Sequence, residues 1–303
     1  MAQPLPSPPP NWPLLALLKE IGLTEKQLRR TLKDGAEEAE RLIPKLLEQN
    51  TTGGKLKAAQ LAVVQRELRA VLSAVWGDVG PAITDGVKAA ALTAAQGEDI
   101  LYKFLNGGGK KIMKAAFTEQ ARAGIPAILA KAANDIPLAS SVWKTQALAT
   151  GMVHKRVNNG LLLGHSAQRI AKGVRDLIHP DVAGGVSYAA FRLARTELNN
   201  AYKTSQEMRY RDEPWAKGMQ WHLSGSHPKP DECNEYAEAD DHDLGAGIYP
   251  FGQRPHSHPN CLCYLTPVQV SEDEFIEAFL DGEYNTYIDE KAYTHAPAGL
   301  LPC

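Results

Sequence analysis

Cysteine is scarce in this sequence. Four thiols in 303 residues, Cys233, Cys261, Cys263 and Cys303, make no disulfide framework. Long apolar runs are missing as well: none approaches the ~20 residues a membrane span needs. The opening stretch MAQPLPSPPPNWP has no basic segment followed by an apolar core. It does not read as a secretory signal, so a reducing cytosol is the expected compartment. Signature loops are absent too. TTGGK and NGGGKK lack the first glycine of a phosphate cradle, and no H-E-x-x-H, G-x-S-x-G or G-x-G-x-x-G in a strand–helix context occurs. These absences point away from nucleotide hydrolases, zinc peptidases, serine hydrolases and dinucleotide enzymes.

What is present begins with an ordinary core content, 44% hydrophobic, enough for about two domains. The net charge of −2 conceals a division. Residues 110–217 carry 17 basic against 8 acidic groups, net +9, while residues 218–303 carry 3 against 15, net −12. Such asymmetry suggests that the parts face different surroundings. The basic middle suits DNA or an acidic protein wall, and the plain alternative is a solvated helical surface. Aromatics rarely interleave with these charges, so a base-stacking channel is not expected.

The pattern predicts a mainly α, α+β protein: an elongated N-terminal helical region, then a small α+β domain with a short antiparallel sheet closed by a Cys/His cluster. Six prolines in residues 1–13 favour an extended arm. Helical periodicity marks 14–48, with Thr24 as a cap, and 56–79, where Leu61, Val64, Leu68, Val71, Leu72 and Val75 form one stripe. GPAITDG is expected to interrupt before a helix at 87–105, and NGGG to break the chain at 106–109. Further helices are expected at 112–133 with a kink or restart at Pro126, at 138–160, after Ser166 as a cap, and at 187–210. GMQWHLSGS (218–226) and CLCYLTPVQV (261–270) read as strands flanking a polar loop. Ser271 and Glu274 form a capping box for a short acidic helix, which passes into an irregular segment. The segments expected are an arm at 1–13, a helical region at 14–135, a compact domain at 136–270 and an acidic tail at 271–303.

The densest chemistry lies in PHSHPNCLCYLTPV. On a strand, Cys261 and Cys263 present their thiols to one face. His258 precedes them, stiffened by Pro259, and Cys233 lies at the far end of the polar loop. Cys233, His258, Cys261 and Cys263 form a Cys₃His set, the usual form of a structural zinc site; His256 and His227 are alternative nitrogen ligands. Against this stands simple packing, with the cysteines as small buried hydrophobes and His258 hydrogen-bonded in the core. A Cys233–Cys261 disulfide is disfavoured in a reducing compartment. The acidic run DECNEYAEADDHD is too polar to shield paired catalytic carboxylates.

Four segments in order, GLLLGHSAQRIAKGV, RLARTELNNAYKTSQ, GMQWHLSGSHPKPDEC and PHSHPNCLCYLTPV, resemble the phage Mu F-type minor head proteins, also called head morphogenesis proteins. The likeness covers about residues 150–270. It rests on Gly164 and Ser166; on Ala194, Arg195, Thr196 and Glu197; on Asp231 and Cys233; and on His258, Pro259, Asn260, Cys261 and Cys263. Many members have an arginine where this chain has Leu262, so any role of that charge is lost. Some carry a toxin or enzyme domain after the last motif, for which the 35 residues beyond Val268 are too few.

The resemblance implies a low-copy, non-enzymatic virion component. It would sit at the portal and head interior, with the host cytoplasm as its place of assembly, and act in head assembly or DNA packaging and delivery. Expected partners are the portal or major capsid protein, docked through 14–135, and packaged DNA through 110–217. One structural zinc is the only cofactor expected. The rivals are a zinc-dependent enzyme acting on DNA or protein, and a DNA-binding protein that uses the basic middle. An ADP-ribosyltransferase reading of Arg195 and Glu197 fails because those residues are neighbours on one helix. There they are free to pair with other elements, pinning the helix to the strand pair, while Asn199 and Asn200 cap or bridge nearby loops.

Overall fold

The computed structural model describes residues 12–50, 58–97, 99–105, 107–131, 136–225 and 230–295. Residues 1–11 of the expected arm, His227 and Cys303 lie outside them, and Trp12 and Pro13, expected in the arm, open the first helix. A mostly helical N-terminal part leads into a small α+β part with a three-stranded antiparallel sheet, as the pattern predicts. The helices in order are α1 (Trp12–Asn50), α2 (Ala58–Ala95), α3 (Gly107–Ala130), α4 (Leu138–Leu162), α5 (Ala167–Ile178) and α6 (Gly185–Tyr210). Then come β1 (Ala216–His222), α7 (Glu232–Glu238), β2 (Ile248–Tyr249), β3 (Tyr264–Gln269), α8 (Glu272–Leu280) and α9 (Asn285–His295). The chain forms two compact units, one from residues 21–86 and 136–195, the other from 1–20, 87–135 and 196–303. Each draws on both sides of the boundary expected at 135.

In the first unit, α1 buries Leu28, Leu32, Ala36 and Ile43 completely, and α2 buries Val64, Leu68 and Leu72. A Cβ built on Gly35 would overlap the Val75 side chain, so the glycine permits the close approach of α1 to α2. Gly160 does the same between α4 and α5, where a Cβ would come 2.6 Å from Ile170 Cγ1. Gly164, at φ 64°, turns the chain between these helices. Ser166 caps α5 by accepting from the Arg169 amide at 3.3 Å, as expected.

Several local expectations are corrected. Thr24 is no cap; it is buried in the middle of α1. GPAITDG does not interrupt α2, which runs through Pro81. The hydrogen bond lost at proline is outweighed by burial of Val79, Ala82, Ile83 and Val87 around it. Gly107, Gly108 and Gly109 do not break the chain but open α3, which continues through Pro126 to Ala130. The segment after α8 is helical, because Tyr284, Tyr287 and Ile288 of that stretch pack against a core containing Trp215, Phe117 and Phe275.

In the second unit the sheet order is β2-β1-β3, with Trp221 opposite Leu265 and Met219 opposite Tyr249. Met219 and Trp221, two apart, turn into the core. Gly218 is required where β2 crosses closely: a Cβ there would come 2.7 Å from the Tyr249 carbonyl oxygen. Ser271 and Glu274 form the capping box of α8 as predicted.

Candidate metal centre

Cys233, Cys261 and Cys263 converge. Their sulfurs lie within 4.8 Å of one another, and Cys233 Sγ stands 3.7 Å from Cys261 Sγ. Two ligands at ~2.3 Å from a tetrahedral zinc would be ~3.8 Å apart, so the observed edge already fits the ion. The three cysteines are thiols and are 0–2% exposed, set in an apolar cluster with Trp221, Met219, Tyr249 and Leu265.

The convergence arises differently from the sequence expectation. Cys261 and Cys263 precede β3 and are not on a strand. What aims them is the turn His258-Pro259-Asn260-Cys261. The Cys261 amide donates to the His258 carbonyl at 3.2 Å and Asn260 takes φ 68°, the proline-then-positive-φ order of a type II turn. The Cys263 amide donates to Cys261 Sγ at 3.3 Å, which stabilises a thiolate there. Cys233 arrives from α7, whose capping box is formed by Asp231 and Asn234. The expectation of a merely solvated acidic loop missed both this helix and β2.

The loop is splinted by α6. Thr196, Asn199, Lys203 and Glu207 are spaced three, four and four apart, one face of a helix. Thr196 Oγ1 accepts from the Asn260 amide at 2.9 Å. Asn199 Nδ2 donates to the Cys261 and Cys263 carbonyls at 2.6 and 3.3 Å. Lys203 Nζ donates to Ser257 Oγ at 2.7 Å. Glu207 accepts from the Gly252 amide at 3.2 Å and from Arg254 Nε at 2.7 Å. The expected bridging role of the asparagines thus falls on Asn199. Arg195 pairs with Glu25 of α1. The stripe itself was not read from sequence, although four polar residues at that spacing on a helix were its signal.

Electrostatics single out Cys261. Hydrogen bonds from Cys233 and Cys263, helped by the nearby Lys203 charge, hold its thiol below the usual range. Bonding to Cys261 and Cys263, with burial, pushes Cys233 up. Burial pushes Lys203 down to about 8, against the attraction of the cysteines. Its ammonium sits 3.9 Å from the Trp221 ring centroid, a cation–π contact.

His258 is half-buried beside Asp231. Its Nδ1 lies 3.1 Å from the Pro259 carbonyl oxygen, which makes Nδ1 the donor and leaves the neutral ring an Nε2 lone pair. That Nε2 is shielded from water, 3.2 Å from Asp231 Oδ2, with no aligned hydrogen bond. A proton on Nε2 or a metal ion beside it would satisfy the carboxylate oxygen. His258 and Asp231 gather with Cys233, within 4.8 Å of one another, and not with all three sulfurs. His256 is exposed.

Comparison with protein-family models, curated proteins and solved structures gives no match to this chain.

Proposed function

We propose that the chain is a minor structural protein of a tailed-phage head, near the portal and head interior, acting in head assembly or DNA packaging and delivery, with one structural zinc held by Cys233, Cys261 and Cys263. The observation that carries this is closure. All three cysteines are 0–2% exposed, and α6 bonds the surrounding loop along its length. A catalytic zinc keeps a coordination position open to substrate; a sealed centre serves to hold a fold. The donor set fits: three thiolates and a zinc leave one negative charge, which the buried Lys203 ammonium offsets.

The phage reading is supported by where the resembling motifs fall. Thr196 of ARTE bonds Asn260 of HPNCLC, and Asp231 caps the helix that delivers Cys233. Three segments chosen for likeness to one family therefore build one site. The rival DNA-binding reading draws less support. Lys203 and Arg209 of the basic middle are buried, and Arg175 and Arg195 are paired with acids.

The test is quantitative mass spectrometry of purified particles from the encoding phage. The chain is expected in few copies per head, and its deletion should leave heads that fail to assemble or to deliver DNA. Its absence from complete, infective particles would overturn the proposal.

A further inference from the structure

α4 has an unusual surface. Trp143 is 66% exposed, Leu148 68% and Met152 37%. They wall a cleft of about 630 Å³ whose floor is Ala147 and Gly151, and a Cβ on Gly151 would meet nothing within 4 Å. Helix α4 contains no acidic residue. Lys144 and Lys155 edge the cleft, and Arg156, Arg169 and Lys172 line its neighbour of about 720 Å³ between α4 and α5. Among the described residues these five cations form no ion pair. The one acid in that neighbouring cleft, Asp176, is engaged by Arg175 at 2.7 Å.

An apolar floor with an unneutralised basic rim fits an amphipathic acidic helix. Nucleic acid would use the cations and leave Trp143 and Leu148 in water. The chain itself carries a helix of the required chemistry. On α8, Leu280 is 76% exposed and Ile276 half-buried, giving an apolar edge at i and i+4. Asp273, Glu277 and Asp281 run beside it, four apart, exposed and in no ion pair among the described residues. We propose that the α4 cleft of one copy receives the α8 face of a second copy, with Leu280 against Trp143 and Leu148 and the acidic edge against Lys144 and Lys155. The contact is head-to-tail, joining unlike patches, so it propagates or closes into a ring. It stands whether or not the phage reading does.

Sedimentation velocity of the full chain across a wide concentration range tests this. Association is expected to grow with concentration and weaken with salt, and Trp143→Ala should weaken it roughly tenfold or more. A chain with Lys144→Glu and Lys155→Glu should be monomeric alone, as should one with Glu277→Lys and Asp281→Lys. Mixing the two restores the opposite charges and should restore association. A wild-type chain that stays monomeric, an unchanged association in Trp143→Ala, or a mixture that fails to associate would each overturn the proposal.

Discussion

Lys203 is an awkward residue to bury, since desolvating an ammonium costs several kcal/mol unless charge of opposite sign lies near. The nearby cysteines favour its charged form, and their thiolates around a zinc would leave a net negative charge beside it. The reduced chain is therefore expected to bind one zinc, with Cys261→Ser reducing zinc content to near none and Lys203→Met weakening affinity on the order of 10–100-fold. Equal zinc content in wild type and Cys261→Ser, read by elemental analysis, would leave packing as the whole role of the cysteines. A second buried charge group makes a pH prediction. Arg209 lies between Asp99 (Nη2–Oδ2 3.5 Å) and Glu213 (Nε–Oε1 3.4 Å). Burial, then the Asp99 charge, pushes Glu213 well above its ordinary value. An acid whose folded value is raised contributes its stability below the unfolded value, and that contribution is lost as pH rises toward the folded one. Stability should fall as pH climbs above about 4.5, and Glu213→Gln should remove up to about 1.4 kcal/mol per pH unit of that slope. Denaturant titrations with parallel slopes in both chains would refute it. The cysteines were legible because few residue types bind zinc; the buried Arg209 group was not, since Glu213 stands at i, i+4 but Asp99 lies 110 residues away.

Elements show where local chemistry prevails and where packing does. Ser166, Ser271 and Glu274 announce helix starts because a cap acts within its own turn. The Pro81 interruption failed because burial along the rest of α2 is set by residues far away in sequence. The CxC pair was assigned to a strand because its alternation suits one, whereas the preceding turn orients both sulfurs before β3 begins. Glycines divide the same way. Gly35 is pressed against Val75, whereas a Cβ on Gly22, in the same helix, meets nothing within 4 Å. Gly22→Ala should stabilise by about 0.5–1 kcal/mol through helix propensity, and Gly35→Ala should destabilise by about 1–3 kcal/mol through overpacking. Thermal melts of the two single variants moving in the same direction would refute the close approach of α1 and α2.

At the scale of the whole chain the sequence yields the class, helices first and a small sheet after, because periodicity is a local signal. It yields the junction at 135/136 but not the interleaving of the units. The two units are interleaved, and their boundaries at 20/21, 86/87 and 195/196 fall inside α1, α2 and α6; GPAITDG ends at the second of these without breaking its helix. An isolated fragment 1–135 holds 21–86 without 136–195, and 87–135 without 196–303. It is expected to be partly unfolded or self-associated, and a sharp cooperative melt of the monomeric fragment would contradict this. Interleaving also imposes a timetable on synthesis. The ribosome releases residues 136–195 before Cys261 and Cys263, so one unit has its full complement of chain while the other still waits for the turn that closes its core. Until that turn emerges, Lys203, Asn199 and Glu207 have been translated without the backbone they bond, and the nascent chain is most exposed to chaperones and proteases during that interval.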